Sequence, residues 1–411
     1  EGEDGFTDGP SEKLFSATSI LKTLSTLAIV LDDNHSVLQQ VQHELLPMIK
    51  YCIENAYIDI FEELFELTEI ITTVLKNTTP DLWSLFPLMH KCIQEFGIDY
   101  ICEMAPTIDN MISYGGPFVS EHPELRAMIV DFCTRIVDYQ YCGENDCKAA
   151  CLIMESTLLH SSSNDDIIPN FIQLVWKSFN SFKQDSTLLA MLNVLISCIY
   201  SNPILSVQFM EQSQIISLFF RKWVELAPIM SRVHDKKLSI STIMRLLALP
   251  SSQLPSMVGA YQPLMDLMLT FVDSLPEAEK HRKELEEEDE EFRNSENDDD
   301  EDYDVAEEIH SDEEDNDFKQ SEPLNQEDED EFDDDDENFL HDIEEDLYFE
   351  SPLLSINSYS TFQEFINTAT STNPDLLNTF NQFQQKITNT LALCQKRLFE
   401  IEQEKIKAAK Q

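Results

Sequence analysis

Hydrophobic residues recur every three or four positions along most of the chain, and strict alternation of apolar and polar residues is almost absent. Apolar stripes of this kind run through residues 14–31, 60–74 and 125–139. A period near 3.6 residues is typical of amphipathic helices. Between Leu188 and Ile199 the pattern is apolar nearly all round, which indicates a helix buried on several sides. The chain is therefore predicted to be all-α.

The stripes group into helix pairs. The predicted pairs are 12–31 with 37–55, 57–76 with 80–96, 98–114 with 123–140, 145–160 with 166–182, 186–201 with 204–225, and 234–249 with 255–274. Each pair takes roughly 44 residues, within the range of about 40–47 that is typical of HEAT-like repeats. A lone helix hairpin cannot bury its apolar face, so hairpins stack. The predicted fold is an all-α HEAT-repeat solenoid, a right-handed superhelix of hairpins; a compact all-α domain is the alternative.

Polar and proline residues mark where helices begin and end. Thr79-Pro80-Asp81 combines an N-cap hydroxyl, a proline at the first helical position and an acid for the helix dipole. Asn202-Pro203 and Asn373-Pro374 repeat this arrangement. Gly115-Gly116-Pro117 and the run 161–164 are predicted to be loops.

Charge divides the chain into two unlike parts. The formal net charge is −51, and residues 284–350 hold 37 acidic and two basic residues. Such a segment cannot form a core and repels itself. The predicted organisation is an N-terminal disordered edge at 1–11, the solenoid of about six pairs at 12–283, a disordered acidic loop at 284–346, and a helical cap at 347–411 that packs back on the solenoid.

The acidic loop is the candidate binding site, because dense negative charge attracts basic proteins over a Debye length of about 8–10 Å. A solubilising segment without a specific partner is the alternative. The predicted cargo-binding residues are Glu286, Glu287, Glu288, Asp289, Glu290, Glu291, Asp298, Asp299, Asp300, Glu301, Asp302, Asp333, Asp334, Asp335, Asp336 and Glu337.

Other classes of function find little support in the sequence. The one basic cluster, residues 280–283, abuts the acidic tract and is expected to pair locally, which disfavours nucleic acid and anionic membranes. No signal peptide and no run of about 18 apolar residues is recognised, and position 1 is expected to be a cut inside a longer protein. Nine scattered cysteines are expected to be reduced thiols. No enzyme, cofactor or metal signature appears, and a monomer is expected.

Several short segments occur in an order that is similar to a known family. They are Leu82–Met89, Phe96–Tyr100, Ile199–Pro203, Val233–Leu238, and Thr372–Arg397 after the acidic insertion. Together they resemble the C-terminal part of the importin-β (karyopherin-β) superfamily, closest to the importin-seven/eight type nuclear import receptors. In that family these segments are structural corners and caps.

The resemblance implies HEAT repeats, shuttling between cytoplasm and nucleus through the pore, and no catalysis. It implies three partners: basic cargo such as ribosomal proteins and histones, Phe-Gly nucleoporins, and Ran-GTP, which releases cargo. The family's N-terminal repeats, which supply the main Ran contact, are not in this sequence, so Ran binding is expected of the intact receptor rather than of this chain alone. The alternative function is a chaperone or scaffold that shields basic proteins without transport.

Overall fold

Two layers of stacked helices form the protein in the computed structural model, which describes residues 10–32, 34–95, 98–298, 345, 347 and 349–408. The helices of layer one are α1 (Pro10–Val30), α3 (Phe61–Leu75), α6 (Ile101–Glu121), α8 (Glu144–His160), α10 (Asp185–Ser201), α13 (Val233–Ala248) and α15 (Ser358–Thr372). Those of layer two are α2 (His35–Glu54), α4 (Pro80–Trp83), α5 (Phe86–Glu95), α7 (Pro123–Val137), α9 (Ile168–Ser178), α11 (Pro203–Gln212), α12 (Ile216–Leu226), α14 (Tyr261–Asp298) and α16 (Leu377–Ala408).

Each helix packs on its neighbours within a layer and on its hairpin partner in the other. Layer one runs α1, α3, α6, α8, α10, α13 and α15, and layer two follows it from α2 through α5, α7, α9 and α11. α15 packs on α13 and α16 packs on α14, so the C-terminal pair continues the stack. The prediction of an all-α HEAT-repeat solenoid is confirmed.

The core lies between the two layers and between successive helices of layer one. All nine residues of 191–199 on α10 are buried, which confirms the prediction from their all-round apolar pattern. Their neighbours are α8 and α13 on either side and α9 and α11 behind. Three bulky side chains of other helices, Phe132, Phe171 and Trp223, are also fully buried.

A ladder of buried polar contacts joins the helices of layer one. Asn193 of α10 donates to Asp235 of α13 over 2.8 Å, and the Asn110 amide of α6 donates to Thr73 of α3 over 2.9 Å. The remaining contacts are Ser156 of α8 with Asp109 of α6 and Ser197 of α10 with Glu155 of α8. Because a buried polar group without a partner is destabilising, each contact fixes the register of one repeat against the next.

Two of the three predicted helix starts are confirmed. The Thr79 hydroxyl accepts from the Leu82 amide, and the Asn202 side chain accepts from the Leu205 amide. Asn373 is used differently, because its side-chain amide donates to the carbonyls of Leu247 and of Leu249 at the end of α13. It thereby joins the C-terminal pair to the preceding one.

Some predicted boundaries are wrong. The helices predicted at 80–96 and 204–225 are each split in two, and at the second break Gln214 takes a positive φ of 61°. Short 3₁₀ turns supplement the helices at Ile58–Ile60, Ile98–Tyr100, Ala227–Ile229, Pro255–Ala260, Pro352–Ser355 and Pro374–Leu376.

The predicted loop at Gly115-Gly116-Pro117 is instead part of α6, which kinks at Gly115 (φ −117°, ψ 20°) and continues to Glu121. Both glycines serve close packing. A Cβ on Gly116 would overlap the main-chain carbonyl of His160 at the end of α8, and one on Gly115 would lie 2.7 Å from the Trp83 ring. The glycines therefore let neighbouring helices approach, a role that a turn prediction does not consider.

The predicted start of the acidic loop at 284 also needs correction, because α14 continues to Asp298. Three ion pairs join residues 280–283 to residues 284–287. In each pair a lysine or arginine lies four residues, about one helical turn, before its glutamate. Such pairs, with the good helix propensity of Glu and Lys, extend a helix into polar sequence. Residues 299–344 of the predicted loop lie outside the described residues.

α1 contains a stretch, Lys13–Val30, that is long and apolar enough to cross a membrane by length and composition, with a mean hydropathy of 1.2. The sequence shows no continuous apolar run here, because serines and threonines interrupt it. Helices that pack on protein have the same composition. Leu21 and Ala28 are buried, and Lys22 lies 3.7 Å from Glu63 of α3. In the structure α1 is thus the first helix of layer one.

Candidate functional site

The predicted cargo-binding carboxylates lie only partly within the described residues. Glu286, Glu287, Glu288 and Asp289 lie on α14, where the three glutamates are exposed. Glu290, Glu291 and Asp298 continue that helix. The remaining nine, Asp299, Asp300, Glu301, Asp302, Asp333, Asp334, Asp335, Asp336 and Glu337, lie outside the described residues.

The basic cluster at the base of the tract is paired locally, as the sequence predicts. Lys280 lies 2.8 Å from Glu284, and Arg282 Nε lies 2.9 Å from Glu286. Lys283 lies 3.3 Å from Glu287. Lys280, Arg282 and Lys283 are therefore each paired with a glutamate four residues on.

The far end of the tract returns to the solenoid as an extended segment that crosses layer one. We call Glu345, Leu347 and residues 349–357 the strap. Glu345 accepts two hydrogen bonds, from Arg282 Nη1 over 2.7 Å and from the Val233 amide over 2.9 Å. That amide belongs to the first turn of α13, where unpaired N–H groups favour an anion.

Glu350 carries the strap across the next helices. Its carboxylate lies 2.5 Å from Lys76 Nζ, at the C-terminal end of α3, and accepts from the Tyr114 hydroxyl of α6 over 3.3 Å. Its main-chain carbonyl accepts from Nε2 of His160, the last residue of α8, over 2.9 Å. One residue of the strap thus contacts three successive repeats.

A buried histidine holds the middle of the strap. The Ser351 hydroxyl lies 2.7 Å from Nδ1 of His234, whose Nε2 donates to the Glu155 carboxylate over 2.9 Å. The Phe349 ring packs edge-on against the same imidazole, with centroids 4.9 Å apart. Because the carboxylate only accepts, Nε2 carries a proton, and the Ser351 hydroxyl is the hydrogen-bond partner of Nδ1.

The last part of the strap is a short 3₁₀ turn, Pro352–Ser355, held from α13. Lys237 Nζ donates to the main-chain carbonyls of Leu354 over 3.0 Å and of Ile356 over 3.1 Å. The Lys237 ammonium is mostly buried, so burial lowers its pKa, and the nearby Glu279 carboxylate opposes that shift. The strap carbonyls therefore supply partners to a cation that water barely reaches.

Two further groups beside the strap have shifted pKa values. Burial alone would raise the pKa of the Asp235 carboxyl, but the charge and hydrogen bonds of Arg232 and the hydrogen bond from Asn193 lower it below its usual value. Burial lowers the pKa of His160, and its contact with Glu350 only partly offsets this. Both groups therefore tie the packing of this face to pH.

An acidic cleft opens farther along, toward the N-terminal end of the stack, between α1, α3 and α6. Its volume is about 600 Å³, and its lining includes four glutamates, Glu62, Glu66, Glu69 and Glu103. Lys22 also lines it but lies near Glu63. Converging carboxylates with few local cations make this part of the solenoid suited to a basic ligand.

A smaller pocket lies between α12 and α14. It measures about 340 Å³ and is lined mainly by apolar side chains, among them Phe220, Trp223, Val224, Leu264 and Leu267. Its size and lining suit a single aromatic or aliphatic side chain of a partner.

Most of the cysteines are buried free thiols. Cys147 and Cys151 are buried on α8, as predicted for helix thiols. Burial raises the pKa of Cys92 to about 12, so its thiol stays protonated near neutral pH. Within the described part of the chain, no group of three or more His, Cys, Asp or Glu side chains could hold a metal ion.

The fold and this face define a helical-repeat solenoid with a charged surface. The chain is 25% identical over 284 residues to a probable importin-7 homologue of Dictyostelium discoideum, covering 67% of this chain and 26% of that protein. It is 25% identical over 274 residues to importin-8 of Mus musculus, covering 64% and 26%. It is also 22% identical over 251 residues to nonsense-mediated mRNA decay protein 5 of Saccharomyces cerevisiae, covering 58% and 24%.

These matches confirm the predicted resemblance to the importin-β superfamily and to its importin-seven/eight type. The chain spans about a quarter of the length of the curated relatives it matches. No protein-family model matches it, and no solved structure matches it.

Proposed function

We propose that this chain is part of a nuclear transport receptor that carries basic proteins between cytoplasm and nucleus without catalysis. Its similarity to importins supports the transport role. The observation that carries the choice of cargo is the acidic tract, 37 acids against two bases within residues 284–350, rooted at both ends in the solenoid. Ribosomal proteins and histones are the proposed cargo class, because their charge is opposite.

The proposed mechanism divides the task between tract and solenoid. The tract raises the local concentration of a basic protein by long-range attraction, which salt weakens. The acidic cleft between α1, α3 and α6 then takes a basic segment at close range, since four carboxylates line it. In the intact receptor, Ran-GTP would compete the cargo off.

Binding of a linker histone tests the cargo proposal. Replacing Glu62, Glu66, Glu69 and Glu103 by glutamine should weaken binding about tenfold at physiological salt, because the cleft loses four charges. The control replaces four exposed glutamates of layer two, Glu44, Glu54, Glu95 and Glu124, by glutamine, which changes the net charge equally. Equal losses in both variants would show that only net charge matters and would contradict a role for the cleft.

The tract is tested separately by replacing residues 299–344 with a scrambled sequence or with an uncharged sequence of the same length. The uncharged chain should bind the histone more weakly at low and at physiological salt. If the scrambled chain binds as well as the parent, the tract attracts cargo by charge alone. If the uncharged chain binds as well as the parent, the tract has no part in capture and the proposal for it fails.

Transport also requires contact with the pore. We propose that the apolar pocket between α12 and α14 takes the phenylalanine of a Phe-Gly repeat, since its lining is mainly apolar and includes the half-buried ring of Phe220. Binding to immobilised Phe-Gly repeats should be lost in Val224→Glu and retained in Val258→Glu, a change at an equally exposed valine outside the pocket lining. Histone binding without any Phe-Gly binding would favour the alternative of a chaperone or scaffold.

A further inference from the structure

The strap is held in a way that resembles a bound peptide more than a packed core element. Of its residues from 349 to 357, only Ser351 and Leu353 are buried. Its two glutamates and four of its main-chain carbonyls accept hydrogen bonds from the solenoid. Its apolar anchor is the 3₁₀ turn, where Leu353 joins the core and Leu354 and Ile356 pack against it. The residues before that turn are held mainly by charged and main-chain contacts, and such a segment can be exchanged more readily than one held by a large apolar surface.

The donors that meet the strap come from five places in the solenoid and converge on one line. They are Lys76 after α3, Tyr114 of α6, His160 of α8, Val233 and Lys237 of α13, and Arg282 of α14. Three acids of the solenoid also face this line: Glu155 pairs with His234, Glu279 lies 3.9 Å from Lys237, and Glu286 shares Arg282. Each of the six donors nevertheless contacts the strap directly.

Removing the strap would leave these donors without acceptors, which costs free energy. The side chains of His234 and Lys237 are 5% and 8% exposed, and that of Arg282 is 14% exposed. A buried cation or donor that loses its partner costs free energy unless another acceptor replaces it. The site therefore favours a ligand that presents carboxylates and carbonyls in the positions of Glu345 and Glu350.

We propose that the layer-one face along this line is a peptide-binding groove for extended acidic segments. The strap is its resident ligand, and an acidic segment of a partner protein with two glutamates five residues apart can displace it. The groove lies apart from the acidic cleft, and its ligand has the opposite charge, so this inference stands independently of the proposed transport of basic cargo.

The test uses a strapless chain in which residues 345–352 are replaced by glycine and serine in equal number. A fluorescently labelled peptide of residues 343–353 is titrated into it, and anisotropy is measured. The peptide should bind the strapless chain at least about tenfold more tightly than the parent chain, because the parent groove is occupied by a tethered ligand at high effective concentration.

Matched variants identify the contacts. A peptide with both Glu345→Gln and Glu350→Gln should bind the strapless chain about tenfold or more weakly, and so should the unchanged peptide with a strapless Lys76→Ala/Arg282→Ala chain. Lys386→Ala, which breaks an exposed ion pair with Asp266 away from the groove, should leave binding unchanged. A strapless chain of unaltered helicity that fails to bind, or that binds the glutamine peptide equally well, would overturn the proposal.

A second variant covers the case in which the strapless chain does not fold. Glu345→Gln/Glu350→Gln in the otherwise complete chain weakens the resident ligand while keeping its backbone. The peptide of residues 343–353 should then bind this variant several-fold more tightly than it binds the parent chain. Equal, weak binding to both chains would mean that the strap is a fixed part of the fold rather than an exchangeable ligand.

Discussion

Single residues show most clearly how this fold is built, and Gly116 is the sharpest example. Its lack of a side chain lets α6 approach the carbonyl of His160 at the end of α8. That carbonyl belongs to main chain and cannot rotate away. Any Cβ at position 116 must therefore separate two helices of layer one or distort one of them.

We expect Gly116→Ala to lower the free energy of unfolding by about 1–3 kcal/mol, the usual cost of overpacking. Thermal or denaturant unfolding measures the change. Gly259→Ala is the control, because nothing lies within 4 Å of a Cβ built there, and it should be neutral or slightly stabilising. Equal stability of the two variants would show that α6 and α8 can separate without penalty.

Asp235 is the second informative residue, since it is fully buried beside Arg232 and Asn193. Asp235→Asn should cost about 1.5–3 kcal/mol, because hydrogen bonds to a charged group are lost. Asp138→Asn, at an exposed pair with Lys177, should cost less than about 1 kcal/mol.

The lowered pKa of Asp235 also fixes a pH dependence. Its folded-state value lies below the ordinary 3.8, so the carboxylate stabilises the fold above that pH, and the contribution is lost as the pH falls through the folded-state value. Denaturant unfolding between neutral and acid pH should show a shallower acid loss in Asp235→Asn than in the parent. If the free energy of unfolding falls equally with pH in both chains, the pH dependence does not come from Asp235.

At the scale of the element, the helices were largely predictable and the strap was not. The repeat of apolar residues every three or four positions located most helices, because burial of one face dictates that spacing. Charge density alone predicts no helix at residues 284–298, but ion pairs at 280–287 help α14 to continue into them. The strap has no period, and its partners lie as far as 274 residues away, so no local pattern in the sequence could reveal it.

One part of the candidate site could be predicted from the sequence and another could not. The acidic tract was evident from composition alone. The acidic cleft was not, because Glu62, Glu66 and Glu103 read as ordinary solvent-facing positions until α3 and α6 are placed side by side. The predicted start of the helical cap at 347 falls within the strap but gives no indication of its contacts.

The strap should loosen at mildly acidic pH through His160. Burial holds the pKa of this imidazole below 6.5, so the neutral ring favours the folded arrangement above that pH. Stability declines as the pH falls from about 6.5 toward the folded-state value, because the unfolded or released state binds the proton more readily. Glu350 and His234 are the titratable neighbours that the shift reflects.

Hydrogen exchange of residues 349–356, compared at pH 7.5 and 5.5 after correction for the intrinsic rate, measures this effect. Protection in the parent chain should fall at the lower pH. His160→Gln keeps a donor for the Glu350 carbonyl but cannot titrate, so its protection should change less. His35→Gln, at an exposed histidine near Asp32, should behave like the parent; a parent-like response of His160→Gln would refute the role of this group.

For the molecule as a whole, the strap breaks the rule that repeats contact only their neighbours. In a stacked solenoid the free energy of unfolding is close to the sum of the repeats' own stabilities and of the contacts between neighbours. The strap adds contacts that run from Lys76, after α3, to Arg282 of α14. It therefore links the second helix pair to the sixth and should resist bending of the layers between them.

We expect the strapless chain to lose protection against hydrogen exchange, by about tenfold or more, near Lys76 and at the end of α8 as well as near α13. Unchanged protection near Lys76 and at the end of α8 would show that the strap stabilises only α13 and α14. The variant Lys386→Ala, whose ion pair joins adjacent helices, should leave protection near Lys76 unchanged.

The anchoring of the acidic tract by α14 on one side and Glu345 on the other has a consequence for how such sequences diverge. Once both ends of a segment are held, doubling its length costs only about 0.6 kcal/mol of closure entropy. Insertions and deletions within 299–344 would then hardly change the stability of the solenoid. A single residue added within 349–356 would instead shift the strap against its partners, so that Glu350 and Lys237 could not both keep their contacts. Across species, the tract should drift freely in length while the few positions after it stay in register.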